Sequence, residues 1–411
     1  MIAYGRVDGW FWERLRRPRT FGVVGLLLAV LAVFLTIPPI EARAIVWPIL
    51  VGILAIAFGI WTATRGERRL GIGAVVGGLV AIGLGILATY SSTDNLNTVF
   101  RADLIASTFV FSTPLIFAGI GGMYSERSGV VNIGLEGMML MGAFFGVYGA
   151  DVTGSWVAGI FIGMASGAVL ALIHAFFCIQ LRADQIVIGT AVNFLALGIT
   201  GYLYNNHYGN KGTPNDLPAI PDVHLHWLNN IPPHSLGNFL DGAFGSLNLM
   251  VWLSLLLLPI ASVFMFRTSL GLRLRSVGEH PRAADTVGIS VYRVRYSAVT
   301  VSGMLAALGG VYLSLGFVNS FSENMTAGRG FIALAALIFG GWRPYGAFAA
   351  ALLFGFSSAL AQRLPDLSGS ESAAWPVLFQ TLPYVLTLVA VAGVIGRSIP
   401  PAAVGRPYVK Q

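Results

Sequence analysis

The sequence predicts an all-α fold: a polytopic integral membrane protein of about twelve transmembrane helices, some of them short or broken. Three observations carry this expectation. The 411 residues are 55% hydrophobic and only 10% charged, with a mean hydropathy of +0.75, whereas a soluble domain carries about 25% charged residues. Apolar runs recur with lengths of about 20 residues, enough to cross ~30 Å of hydrocarbon at 1.5 Å per residue. The basic residues divide unevenly between alternate loops, as the positive-inside rule requires. The single cysteine, Cys178, excludes an internal disulfide framework and a thiol–metal cluster. The net charge of +7 sits in short loops between spans, so it reports topology beside membrane lipid and implies no nucleic-acid partner.

Arg6, Arg14, Arg16, Arg17 and Arg19 precede the first apolar run, 23–35. That is the shape of a signal peptide. The run ends at Ile37-Pro38-Pro39 with no small-residue cleavage site, and further spans follow, so it is expected to be a membrane helix. Spans 44–64 and 70–90 flank the tight basic loop 65–69, and a polar break occupies 91–101. Spans 104–124, 130–150, 156–181 and 184–204 come next. Residues 205–248 are polar and rich in Pro, Asn and His, which suits an extramembrane loop. Span 249–266 is followed by a second polar stretch, 267–295, and by spans 296–318, 330–341, 345–364 and 376–395. The tenth, 330–341, is short and flanked by Gly328, Gly330, Gly340 and Gly341, as a broken or re-entrant helix would be. An even count puts both termini on one side. With the termini inside, only Arg43, Arg101, Lys211, Arg329 and Arg363 of the 25 Lys and Arg residues lie outside.

One polar stretch interrupts the apolar pattern: Ser125-Glu126-Arg127-Ser128-Gly129-Val130-Val131-Asn132-Ile133-Gly134-Leu135-Glu136. A carboxylate at membrane depth is costly and marks a candidate functional site. Glycines there suit close helix contact or a broken helix lining a cavity. Two readings stand, a pore element or a buried, hydrogen-bonded packing helix. Asn132 and Glu136 are spaced i, i+4 and are expected to share one face of span 130–150. Asn193 lies mid-span in 184–204. A second informative stretch is 269–289. Pro281 fits the first position of a helix and Gly288 its stop, leaving about seven residues, or ~10 Å of helix. This is either a docking helix for another protein or an ordinary juxtamembrane surface helix.

Ala283-Ala284-Asp285-Thr286-Val287-Gly288 resembles the coupling-loop pattern of ABC importer permeases. Residues 270–289, followed by Tyr292-Arg293-Val294-Arg295-Tyr296, are similar to the branched-chain-amino-acid/ribose-type permease family. Residues 125–139, Ala183-Asp184-Gln185-Ile186-Val187-Ile188-Gly189 with Asn193, and Ala327-Gly328-Arg329-Gly330-Phe331-Ile332-Ala333-Leu334-Ala335 resemble its nucleoside-permease branch. The resemblance implies a permease core at 101–396, preceded by extra membrane helices in 1–100 and followed by a cytoplasmic tail, 397–411. It implies a multi-pass subunit of the bacterial cytoplasmic membrane with both termini cytoplasmic. Such a subunit is not an enzyme and carries no cofactor. Its expected partners are ABC ATPase subunits, a second, paralogous permease, an extracytoplasmic substrate-binding lipoprotein and a nucleoside cargo. The sequence has no Gly-Lys-Ser/Thr phosphate loop, so any ATP must bind elsewhere.

The same resemblance makes Pro281, Arg282, Ala283, Ala284, Asp285 and Gly288 the ATPase coupling helix. A nucleoside pathway needs a few polar groups on apolar walls. Asn132 and Asn193 can both donate and accept to ribose or base edges, and Phe194, Phe331 and Phe117 offer flat apolar surface. Glu136 finds no cationic partner on a nucleoside. It reads either as protonated or as a brace of the broken helix through backbone amides. The expected pathway is therefore Asn132, Glu136, Asn193, Phe194 and Phe331. Arg329 suits a binding-protein contact or a half-helix cap. His207, His224, His226 and His234 have no Cys or close carboxylate to complete a metal set, so no metal is expected, and their loop suits contact with a binding protein. Two alternatives remain: a simple-sugar, ribose-type permease, and a proton-coupled secondary transporter in which Glu136 would carry the proton.

Overall fold

The computed structural model describes residues 18–34, 46–90, 102–214, 216–367 and 399–410. The helices, in chain order, begin with α1 (Pro18–Phe34), α2 (Val46–Thr64), α3 (Arg68–Tyr90), α4 (Ala102–Arg127), α5 (Leu135–Thr153) and α6 (Trp156–Ala175). α6 widens into a π-helical turn at Phe176–Gln180, and α7 (Gln185–His207) follows. Strand β1 (Asp222–His224), helix α8 (His234–Phe244) and strand β2 (Ser246–Asn248) lie ahead of α9 (Leu249–Arg267), α10 (Ser269–Glu279) and α11 (Pro281–Thr286). Then come α12 (Val291–Val311), with its π-helical end Tyr312–Val318, α13 (Arg329–Phe339) and α14 (Pro344–Leu367).

Two compact units emerge, one of Met1–Ala106, Leu225–Gly245 and Leu360–Val394, the other of Ser107–His224, Ser246–Ala359 and Ile395–Gln411. In the first, α1, α2 and α3 pack against one another. Small residues allow it. Gly52, Ala55 and Gly59 are the buried positions of the middle of α2, and a Cβ at Gly59 would stand 2.7 Å from the Gly71 carbonyl oxygen. Backbones that meet this closely are how helices associate where no hydrophobic effect drives them together. Phe21 stacks on Phe58 with ring centres 5.5 Å apart.

In the second unit α5 is the central post. It packs against α6, α7 and α12, and nearly its whole length is buried. Gly142 faces the backbone of Ala307, and Gly310 faces Met139. Among the described residues, seven helices are long and apolar enough to cross a membrane, and α5 is not one of them. Protein surrounds most of it, and Glu136 is among its buried residues. Three shorter apolar helices, Thr20–Ala32, Leu70–Gly83 and Arg329–Phe339, join the seven. The chain is thus an all-α, multi-pass membrane protein, with one small ribbon in which Asp222, Val223 and His224 of β1 pair antiparallel with Asn248, Leu247 and Ser246 of β2. The expected span 376–395 lies outside the described residues.

Three expectations change. Residues 128–134 are not helical, so α5 starts at Leu135 and Asn132 does not share a helix face with Glu136. The stretch 205–248 is structured, by α8 and the ribbon. The stretch 267–295 holds two helices, α10 and α11, and the start of a third. α10 was missed because its alternation of Leu and Arg is amphipathic and not apolar.

Candidate functional site

The break at 128–134 is buried and has lost its helical ladder, so its backbone groups need other partners. It finds them along the chain. Gly129, at φ +94°, makes the turn out of α4. A side chain there would be strained and would meet the Arg295 guanidinium. The Ser125 hydroxyl donates to the Val130 carbonyl at 2.7 Å, and the Ser128 hydroxyl to that of Ser125 at 2.7 Å. The Val131 N–H donates to Gln185 Oε1 at 2.7 Å, while its carbonyl lies 3.0 Å from His174 Nε2. Gln185 is placed by Asp184, which caps α7 through the Ile186 and Val187 amides at 2.8 and 3.1 Å. Asn193 uses both ends of its amide. Nδ2 donates to the Ile133 carbonyl at 3.0 Å, and Oδ1 accepts from the Gly137 N–H at 2.8 Å. Asn132 is fully buried. Its Nδ2 donates to Ser302 at 2.9 Å, and its Oδ1 has no hydrogen-bond partner among the described residues.

Glu136 stands at the start of α5 and reaches the start of α13. Its two oxygens accept from the Gly328 and Gly330 amides at 2.8 and 2.6 Å. A helix N-terminus presents unpaired N–H groups and the positive end of the macrodipole, and the Glu136 oxygens fill those N–H groups. α13 has 11 residues, about 16 Å at 1.5 Å per residue, or roughly half the hydrocarbon thickness. Just beyond its other end the Trp342 indole donates to buried Glu126 at 2.5 Å, and Arg127 Nε donates to the Trp342 carbonyl at 3.0 Å. The half-helix is therefore pinned at both ends to one stretch of chain, 126–136.

α11 begins with Pro281 at its first turn and stops before Gly288, at φ +82°, where only glycine is unstrained. Ala284 is buried with Val277, Val291 and Tyr408. Arg282, Ala283, Thr286 and Val287 are exposed, and Val287 reaches 74%. Burial raises the pKa of the Tyr408 phenol, and its hydrogen bond to Asp285 raises it further. Six residues form a helix too short to be stable alone, so this packing holds it.

A profile of the family described as branched-chain amino acid transport system permease component matches residues 104–391. The chain belongs to this family. The permease is 41% identical over 317 residues to the guanosine ABC transporter permease protein NupQ of Bacillus subtilis, covering 75% of this chain and 96% of the relative. It is 40% identical over 314 residues to the nucleoside ABC transporter permease protein NupC of Lactococcus lactis, with the same coverage. It is also 36% identical over 293 residues to an ABC transporter permease of Haloferax volcanii provisionally named for glucose, covering 70% of this chain and 86% of that one. No solved structure matches it. The permease is a membrane transport subunit and not an enzyme.

Asn132, Glu136 and Asn193 come together around the break and the first turn of α5. Phe194, 70% exposed, and Phe331, 48% exposed, lie on the permease surface, each next in sequence to a residue bonded to α5. Pro281 to Gly288 form a separate group with α10 and the segment 399–410. Phe117 is 1% exposed and packs in the core. Four bracing residues were given no role by the sequence reading: His174 and Ser302, which it did not single out, and Gln185 and Arg295, which stood in its motifs. The signal was there, since each is a polar side chain inside or at the end of an apolar span and is buried. Among the described residues no three His, Cys, Asp or Glu side chains gather as a metal set.

Proposed function

We propose that this permease translocates nucleosides as the pore subunit of an ATP-driven importer. NupQ is named for guanosine and NupC for nucleosides, and each is matched over 96% of its length. The geometric observation that supports the cargo concerns two exposed phenyl rings. Asn193 is bonded to Gly137 and Gly330 to Glu136, so Phe194 and Phe331 extend from backbone pinned beside consecutive residues of α5. Two exposed apolar rings carried on neighbouring backbone suit a planar base. In this reading Phe194 and Phe331 face the cargo, while Asn132, Glu136 and Asn193 hold the wall that carries them. With both Glu136 oxygens engaged by amides, a proton-carrier role for it loses its support.

The core is 101–396, with peripheral helices in 1–100 and a tail from 397. Both termini are cytoplasmic, an orientation supported by the basic-residue split. α11 docks an ABC ATPase subunit through its exposed face, a second permease closes the pathway, and a binding lipoprotein delivers the cargo. The test is uptake of labelled guanosine by the reconstituted transporter. Uptake should require ATP, and Phe194→Ala and Phe331→Ala should each raise KM about fivefold or more, since stacking of a base on an aromatic ring is worth ~1–3 kcal/mol. ATP-independent uptake driven by a proton gradient would overturn the reading. The Haloferax relative favours a second cargo, a simple sugar. Competition by excess glucose or ribose against guanosine decides between the two.

A further inference from the structure

Residues 399–410 pack beside α11 and bond to the end of α10, to α12 and to the break. The Ala403 N–H donates to the Gly278 carbonyl, at the end of α10, at 2.9 Å. The Ala402 N–H donates to the Glu279 carboxylate at 3.1 Å. Tyr408 packs with Val277, Ala284 and Val291 and lies 5.6 Å from Tyr292 between ring centres. The same segment also touches the break in the pore wall, through the Gly405 N–H on the Gly129 carbonyl at 3.3 Å.

Arg295 joins the two. It is 1% exposed, yet no carboxylate pairs with it among the described residues. Its Nε donates to the Ser128 carbonyl and its Nη1 to the Arg406 carbonyl, both at 3.2 Å. The first acceptor lies just past the C-terminus of α4, where the helix dipole favours a cation. A buried guanidinium held by carbonyls from the break and from 399–410 ties those two segments to the base of α12. The segment and the α10–α11 turn also face each other across a groove of about 480 Å³, with Glu279, His280 and Arg282 on one wall and Arg406, Pro407 and Val409 on the other. Glu279 is already engaged by Ala402 and, at 3.9 Å, by Arg127. The free charge of the groove is that of Arg282 and Arg406, both exposed.

We infer that residues 399–410 are a working half of the coupling element: with α11 they form a basic groove for a carboxylate-bearing face of the ATPase subunit, and through Arg295 and Gly405 they carry its displacement to the break at 128–134. This rests on the assignment of α11 as the ATPase-docking helix. A shift of α11 that had to pass through α10 and α12 alone would meet two packed helices, whereas the segment reaches Gly129 of the break directly.

The test uses the complete reconstituted transporter and two kinds of variant. Tyr408→Ala removes the buried ring that packs the segment against α11, Ala403→Pro removes the N–H that bonds Gly278, and Tyr408→Phe keeps the packing. Substrate moved per ATP hydrolysed should fall about fivefold or more in the first two and recover in Tyr408→Phe, with membrane insertion retained in all three. Arg282→Glu with Arg406→Glu should weaken co-purification of the ATPase, and the wild-type association should itself weaken with salt. Wild-type transport-to-ATP ratios in Tyr408→Ala and Ala403→Pro, or salt-independent association untouched by the charge reversals, would overturn the inference. If a variant fails to insert, the charge-reversal arm still decides, because both arginines are solvent-exposed. A wild-type complex that hydrolyses ATP but moves no nucleoside or sugar would instead overturn the proposed function.

Discussion

Glu136 illustrates how a carboxylate survives inside a membrane protein. Among the described residues no cation pairs with it. Two amide N–H groups and a helix dipole do the work. Glu136→Gln keeps one acceptor but sets its NH2 against the second amide, leaving a buried donor without a partner. That should cost about 1–3 kcal/mol and lower the melting temperature of the detergent-solubilised protein. A melting temperature equal to wild type, together with uptake that no longer depends on pH, would show a proton carrier and not a cap. Asn193 behaves alike. Its amide is spent on Ile133 and Gly137, so its chemistry, which in the sequence suits a ligand, serves the backbone.

At the scale of elements, the short helices are the telling ones. α13 is half a span, and α11 is less than two turns long. Both depend on neighbours, α13 on 126–136 and α11 on α10, α12 and 399–410. The two faces of α11 should therefore respond differently to substitution. Val287→Asp, on the exposed face, should reduce ATPase co-purification severalfold while the melting temperature holds. Ala284 is buried, and enlarging it should lower stability, since overpacking a close-packed site costs ~1–3 kcal/mol. Co-purification of Val287→Asp at the wild-type level would remove α11 from the docking surface. The sequence marks of α11, Pro281 and Gly288, are local and chemical, which is why its limits were readable. The break carried glycines, which suit close helix contact as well as a broken helix, so its limits were not fixed by them. Whether 128–134 is helix or coil turns on partners such as Gln185 and Arg295, which lie 54 and 167 residues away along the chain.

At the scale of the molecule, the family match starts at residue 104, and the relatives NupQ and NupC are covered almost fully by about three quarters of this chain. The α1–α3 bundle stands outside that match. Gly59→Leu would drive a side chain into the Gly71 carbonyl and the Val75 amide and force α2 and α3 apart. The expected outcome is a lower melting temperature with unchanged KM for uptake, and a changed KM would bring the bundle into the transport mechanism. Hydropathy alone determined that this chain is a helical membrane protein, because each span needs its own apolar length whatever its neighbours. The motif at 283–288 likewise placed it among the ABC importer permeases. Tertiary structure decided the rest: that Glu136 caps α13, that Asn132 lies in a break and not on α5, and that 399–410 straps α11 to that break. Hydrogen bonds between groups more than a hundred residues apart leave no periodicity in a sequence, so only the folded chain reveals which polar groups meet.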